Sequence, residues 1–334
     1  MAKNCSLLPL AISLAICALG SCSHQPRNVS TATGVQPRSV TTNLRLATTS
    51  ATHIGFLAAL GQLDKVVAVT NRDLIYTPLS DSVIDLGDAT TPNIERIIQA
   101  GVTHVIVSDY TGNRLTEQLD RVGISYTIIN EWQETDPLRR AAWIQTFGDI
   151  LDCRPLADSI LAAVQQQYQQ AVGSTSEAQQ SSQANNNALR SIMTGMNYRG
   201  TWYVPSGNSY MGHLLRDAGA DYPYTQEERQ GSLPLTFETC FIQFRDAEVW
   251  IGSDARTLSE LAAMDERHTW FRAWQTGRVY NWFKQTTPMG GNNFWERGVV
   301  HPEEILSDLI HILANDTTCL VYAQPLHGNS IQKE

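Results

Sequence analysis

The stretch Leu44-Arg45-Leu46-Ala47-Thr48-Thr49-Ser50-Ala51-Thr52-His53-Ile54-Gly55-Phe56-Leu57-Ala58-Ala59-Leu60-Gly61 decides the fold class. Leu44 to Ala47 reads as a short strand, Thr48 to Thr52 as a turn and helix cap, and the apolar run from His53 to Leu60, closed by Gly61, as a helix. Moving outward, Val66 to Val69 is the next strand and Asn71 to Ser80 a loop. Pro92-Asn93-Ile94-Glu95 opens a helix that reaches Gly101, and Val105-Ile106-Val107 is a fully apolar, buried strand. The helix Leu115 to Val122 and the strand Tyr126 to Ile129 follow. Strands alternating with helices predict a parallel sheet with helices on both faces, an α/β fold.

Beyond Asp136-Pro137, which suits a helix start, apolar residues recur at helical spacing through Leu151. Arg154-Pro155 starts the pattern again, and Leu161, Val164, Tyr168 and Val172 carry it on as one long helix. Residues Gly173 to Asn187 are rich in Ser, Gln and Asn and read as a polar surface loop. A second strand and helix series then begins: Leu189 to Met193, a loop to Ser209, the helix Tyr210 to Ala218, and the strands Glu248 to Ile251 and Arg278 to Tyr280. The halves echo each other. Gly87 precedes Asn93-Ile94-Glu95-Arg96-Ile97-Ile98 and the strand His104 to Val107, as Gly231 precedes Thr236-Phe237-Glu238-Thr239-Cys240-Phe241 and the strand Glu248 to Ile251. The echo predicts two similar lobes joined by the long helix.

The N-terminal end adds a destination. Lys3 and the apolar run Leu7 to Leu19, too short to span a bilayer, read as a secretory signal. Ser23 to Thr42 is Ser, Thr, Pro and Gln-rich and reads as a flexible tether. The domains are therefore 1–21 signal peptide, 22–42 tether, 43–136 N-terminal α/β lobe, 137–172 connecting helix region, 173–187 polar loop, 188–314 C-terminal α/β lobe and 315–334 C-terminal tail. A formal charge of −9 argues against a nucleic-acid partner. Of the cysteines outside the signal and Cys22, Cys153, Cys240 and Cys319 form no CxxC spacing. Cys240 with Cys319 is the more plausible bridge, and the sequence leaves the pairing open. No GxSxG elbow, GxGxxG or P-loop is present, so the chain reads as no enzyme.

Leu19-Gly20-Ser21-Cys22 resembles the lipobox of bacterial lipoproteins, which implies that Cys22 carries acyl chains and that the protein sits in the cell envelope, facing the periplasm or the exterior. Ser50-Ala51-Thr52-His53 with Leu57-Ala58-Ala59-Leu60-Gly61, the Gly87 to Glu95 segment, and Trp202 to Ala220 with its Leu-Leu-Arg-Asp-Ala-Gly ending resemble the periplasmic binding proteins of iron-siderophore, haem and vitamin B12 importers. The resemblance implies two parallel-sheet lobes joined by one long rigid helix, and a monomer that serves an ABC importer permease with its ATPase. By the same resemblance Glu95 and Glu238 are permease-docking carboxylates, one on each lobe. One departure stands out: His53 occupies a position where the family commonly has Glu.

Ligands of parallel α/β lobes collect beyond the carboxyl ends of the strands. The candidate ligand-binding residues there are Ser50, Thr52, His53, Arg72, Tyr76, Asp109, Tyr110 and Trp132 in the first half, and Trp202, Tyr203, Trp282, Phe283, Asn293 and Trp295 in the second. Aromatic walls with a few amides suit a large planar chelate: an iron complex, haem included, or as the alternative a corrinoid. Arg72 and Lys284 are candidates to meet anionic oxygens, and Tyr76 is a possible haem-iron ligand, as in haem-carrying members of the resembled family. No resident cofactor or directly bound metal is expected. His53, His213 and His301 are dispersed. A lipoprotein adhesin is the remaining non-enzymatic reading.

Overall fold

The computed structural model describes residues 43–109, 113–184 and 190–327. Cys22, Tyr110, the signal and the tether lie outside the described residues. Among the described residues, no helix is long and apolar enough to cross a membrane.

The first half runs β1 (Leu46–Thr48), α1 (Ala51–Ala59), β2 (Val66–Val69), β3 (Ile84–Asp85), α2 (Ile94–Gln99), β4 (His104–Ser108), α3 (Asn113–Val122) and β5 (Ser125–Ile129). The strands form one sheet in the order β3-β2-β1-β4-β5, with Leu46 opposite Val66 on one side and His104 on the other, every pairing parallel. Ile54, Phe56, Leu57 and Ile106 pack one face of this sheet, and Ile97, Val105, Val107 and Leu119 the other. The α/β reading of the opening stretch therefore holds.

The connection is α4 (Pro137–Ala142), α5 (Ile144–Ile150) and the 31-residue α6 (Arg154–Ala184). Asp136 caps α4 by accepting from the Arg139 N–H. Along α6, Ala157, Leu161 and Val164 enter the first-lobe core, and Tyr168, one turn on, enters the second. The Tyr168 hydroxyl donates to Asp217 at 2.7 Å. One helix thus belongs to both cores. The expected polar loop at 173–187 is corrected, because α6 continues to Ala184. Past Gly173 no glycine or proline interrupts it, and the hydroxyls of Ser174, Thr175 and Ser176 donate back to carbonyls one turn earlier.

The second half runs β6 (Ile192–Thr194), β7 (Met196–Tyr198), β8 (Thr201–Pro205), α7 (Tyr210–Asp217), β9 (Ser232–Leu235), α8 (Phe237–Phe244), β10 (Val249–Ile251), α9 (Leu258–Met264), α10 (Arg272–Gln275), β11 (Val279–Asn281), α11 (Asn293–Val300), α12 (Pro302–Leu313) and β12 (Gln324–Pro325). A sheet ordered β12-β11-β10-β6 is parallel except at β12, and β7-β8-β9 form a separate antiparallel sheet. The loop expected before Ser209 is instead the β7-β8 hairpin. Its turn places Arg199 and Gly200 both at positive φ, as a two-residue hairpin turn requires.

The expected tail at 315–334 also needs correction. Leu320, Tyr322, Ala323 and Leu326 are core residues, and the Asp308 carboxylate accepts from the N–H groups of Val321, Tyr322 and Ala323 at 2.6–2.8 Å. Cys240 is buried, Cys319 exposed, and both are free with Cys153, so the Cys240–Cys319 bridge is absent. Burial pushes the Cys240 thiol pKa up.

Candidate functional site

A pocket of about 300 Å³ opens at the carboxyl ends of β6, β10 and β11. Its floor is backbone. Gly195, following β6, has φ +77°, and a Cβ there would stand 1.9 Å from the Tyr203 carbonyl oxygen, so only glycine lets β6 and β8 approach. Gly252, following β10, has φ +83° and passes below Trp282. The walls are aromatic. Trp282 stacks on Phe294 at 4.6 Å between ring centroids, and Phe294 meets Trp295 edge-on at 4.6 Å. The Asn292 amide fixes this wall by donating to the Trp282 carbonyl at 3.0 Å while accepting from the Phe294 N–H. Tyr203 and Phe283 complete it.

Period-two alternation in β8 explains why neighbouring aromatics differ. Tyr203 faces outward and is 44 % exposed, whereas Trp202 is fully buried. Trp202 lies against Trp250, His268 and Phe271, with its indole N–H donating to the Thr194 carbonyl. Trp202 is therefore core and not cleft wall. Asn293 faces away from the pocket as well, donating to Gln285 at 2.6 Å. Strand-end residues Gly195, Ser253 and Asp254 line the pocket and went unnoticed in the sequence. The unrecognised hairpin hid the first of these, although Gly252-Ser253-Asp254 directly after a strand was a readable signal.

In the first lobe the expected residues divide. Ser50 and Thr52 share a hydroxyl contact at 2.9 Å, and Thr52 donates to the buried Glu131 at 2.7 Å. His53 is fully buried, its Nδ1 2.7 Å from the Thr48 hydroxyl and its Nε2 3.9 Å from Glu131. Desolvation lowers its pKa to about 4, so it is a neutral core group and not a ligand contact. Across Glu131 stands Arg140 at 3.8 Å, whose guanidinium lies over the Tyr210 ring of α7. Arg72 donates to the carbonyls of Val83 and Ser80, and Lys284 to that of Leu320. Both cations are thus engaged by main-chain carbonyls, and Arg72 lines a cavity beside Tyr76. Asp109 and Trp132 are exposed.

Tyr76 lines a second cavity of about 250 Å³, formed by the loop from Arg72 to Leu79 together with Thr287. The loop is fastened to the other lobe: the fully buried Glu296 of α11 accepts from the N–H groups of Tyr76 and Thr77. Gly291 touches the same loop, since a Cβ there would stand 2.7 Å from the Ile75 main chain. Burial raises the Glu296 carboxyl pKa against the opposing pull of these donors. His301, Glu303 and Glu304 also gather within 4.8 Å, but Glu304 is held by Arg297 at 2.6 Å and by the Tyr322 hydroxyl, an ion-paired group rather than an open ligand set.

Glu95 and Glu238 occupy matching places. Each is exposed in the first turn of its helix, behind the caps Asn93 and Thr236, which accept from the Arg96 and Thr239 N–H groups. Hydrogen bonds from its own backbone N–H and from the Thr236 hydroxyl hold the Glu238 carboxyl below the usual range.

The fold has known counterparts. A possible iron-binding, periplasmic solute-binding protein of Staphylococcus epidermidis superimposes with a TM-score of 0.62, covering 80% of this chain and 98% of that one at 14% identity. A periplasmic haem-binding protein of Pseudomonas aeruginosa does so at 0.61, covering 85% and 95% at 17% identity. A periplasmic vitamin B12-binding protein of Vibrio cholerae follows at 0.54, covering 82% and 98% at 12% identity. Likeness at these identities establishes the two-lobed architecture alone. An uncharacterized lipoprotein of Methanocaldococcus jannaschii is 24% identical over 72% of this chain, which spans 55% of that relative's length. The periplasmic binding protein family model matches residues 46–286. With these strands, this aromatic pocket and that match over most of its length, the chain belongs to the periplasmic binding protein family.

Proposed function

We propose that this protein is the solute-binding lipoprotein of an ABC importer, which captures a large metal chelate against the aromatic wall and delivers it to the membrane permease and its ATPase. The observation that carries the ligand class is the wall itself: Tyr203, Trp282, Phe283 and Trp295 converge at three strand ends, where flat rings favour a planar or apolar ligand face. An iron complex, siderophore or haem, is the first reading. The commitment of Arg72 and Lys284 to backbone carbonyls favours a second, a corrinoid, which asks for aromatics and amides without a cation. Cys22 anchors the chain as a lipoprotein in the envelope, and it works as a monomer without nucleic acid. Titration of the full-length chain in mild detergent, followed by tryptophan fluorescence and calorimetry, tests the reading. One-to-one binding of a chelate, recovered chemically unchanged, supports it; turnover of the ligand sinks it.

A further inference from the structure

The pocket is uneven in charge. Among the described residues lining it, Asp254 is the one group charged at neutral pH, and no Lys, Arg or His joins it. Asp254 closes the turn Gly252-Ser253-Asp254 at the end of β10, exposed at the mouth, with no hydrogen bond or ion pair to another described residue. The cations of adjoining segments make no ion pair with it, although one of them lies against the pocket wall. The Arg256 guanidinium lies over the Phe283 ring at 5.2 Å, while its main-chain N–H donates to Glu260. Lys284 and Arg72 are held by the carbonyls already named.

A carboxylate at an apolar mouth, with no ion-pair partner and no cation among the lining residues, sets the sign of the local field. We infer that Asp254 selects ligands by charge, so that the cleft takes an uncharged or cationic chelate with an apolar face and discriminates against one carrying carboxylates. The inference rests on the chelate-binding reading above and narrows it. Partial burial raises the Asp254 carboxyl pKa, which fits a carboxylate lacking a cationic partner. A cationic ligand would favour its ionised form, and an anionic one would be opposed by it.

The test uses chelates matched in shape and different in charge. Ferrioxamine B carries a free ammonium group, its N-acetyl derivative is neutral and its N-succinyl derivative is anionic. Aquocobalamin and cyanocobalamin form a cationic and neutral pair on a corrin scaffold. On whichever scaffold the full-length protein binds, the cationic member should bind best, with affinity falling about tenfold for each step toward negative charge. Asp254→Asn should collapse that spread and Asp254→Lys should reverse it, with thermal unfolding confirming that each exposed-site variant is folded. Anionic members binding as tightly as neutral and cationic ones would overturn the charge rule while leaving the chelate reading standing. So would a spread that survives Asp254→Asn. Absence of binding on both scaffolds, and of haemin, would remove the chelate reading and the charge rule together.

Discussion

A Cβ on Gly55 would stand 2.1 Å from the Glu296 carbonyl oxygen, so α1 of the first lobe and α11 of the second touch backbone to backbone. The Glu296 side chain meanwhile holds the Tyr76 and Thr77 N–H groups. Val299 and Val300, later in α11, complete the first-lobe core. One short helix near the end of the chain therefore fixes both the packing of α1 and the position of the Tyr76 loop.

Gly55→Ala should force these helices apart and cost about 1–3 kcal/mol, the usual range for overpacking a close contact. Chemical denaturation of the purified chain measures the loss. An unchanged midpoint would mean that α1 and α11 move apart freely.

Trp202 and Trp295 should behave oppositely. Trp202→Ala empties a fully buried site and should lower stability by about 3–5 kcal/mol. Trp295 is 51 % exposed at the pocket wall, so Trp295→Ala should leave the unfolding midpoint within about 0.5 kcal/mol and weaken chelate binding instead. Unfolding curves paired with ligand titrations separate the two roles.

His53 predicts a pH dependence. Burial lowers its pKa from 6.5 to about 4, so as the pH falls the unfolded chain takes up this proton before the folded chain does. The stability contributed by neutral His53 is complete above about pH 6.5 and is lost as pH falls through that value toward 4, on the order of 2–3 kcal/mol. His104 is shifted the same way, again by burial, so the wild type carries both contributions. His53→Gln should flatten only its own part of the slope. Denaturation midpoints at pH 7, 5.5 and 4.5 for both proteins give the difference, and parallel slopes would contradict the assignment.

Replacing Glu95 and Glu238 together by Ala should leave chelate affinity within about twofold while cutting uptake through the permease about tenfold or more, because both carboxylates are exposed and away from the pocket. Transport assays in cells carrying the double variant measure this. Normal uptake would reduce both residues to helix-start carboxylates.

Cys22→Ala should release the chain from the membrane fraction and abolish acyl mass on its N-terminal peptide. Mass spectrometry of the wild-type protein checks the premise directly, and an unacylated Cys22 in membrane-bound protein would remove it.

Elements that rest on local periodicity and capping were legible in the order of residues alone. Leu44 to Gly61 declared a strand, turn and helix because apolar spacing and turn residues act within a few positions of one another. Asn93-Ile94-Glu95 and Thr236-Phe237-Glu238 declared two matching helix starts, and both caps are formed. Features that depend on partners distant in sequence emerge only in the folded chain. Trp202 and Tyr203 are adjacent and alike in chemistry, yet strand alternation buries one under Phe271 and turns the other to the pocket. Arg72 and Lys284 are likewise engaged by the carbonyls of Val83 and Leu320, partners that local sequence does not announce. The intimacy of Gly55 with Glu296 spans most of the chain and leaves no periodic trace, because it is fixed by the distance between two backbones after both lobes have folded.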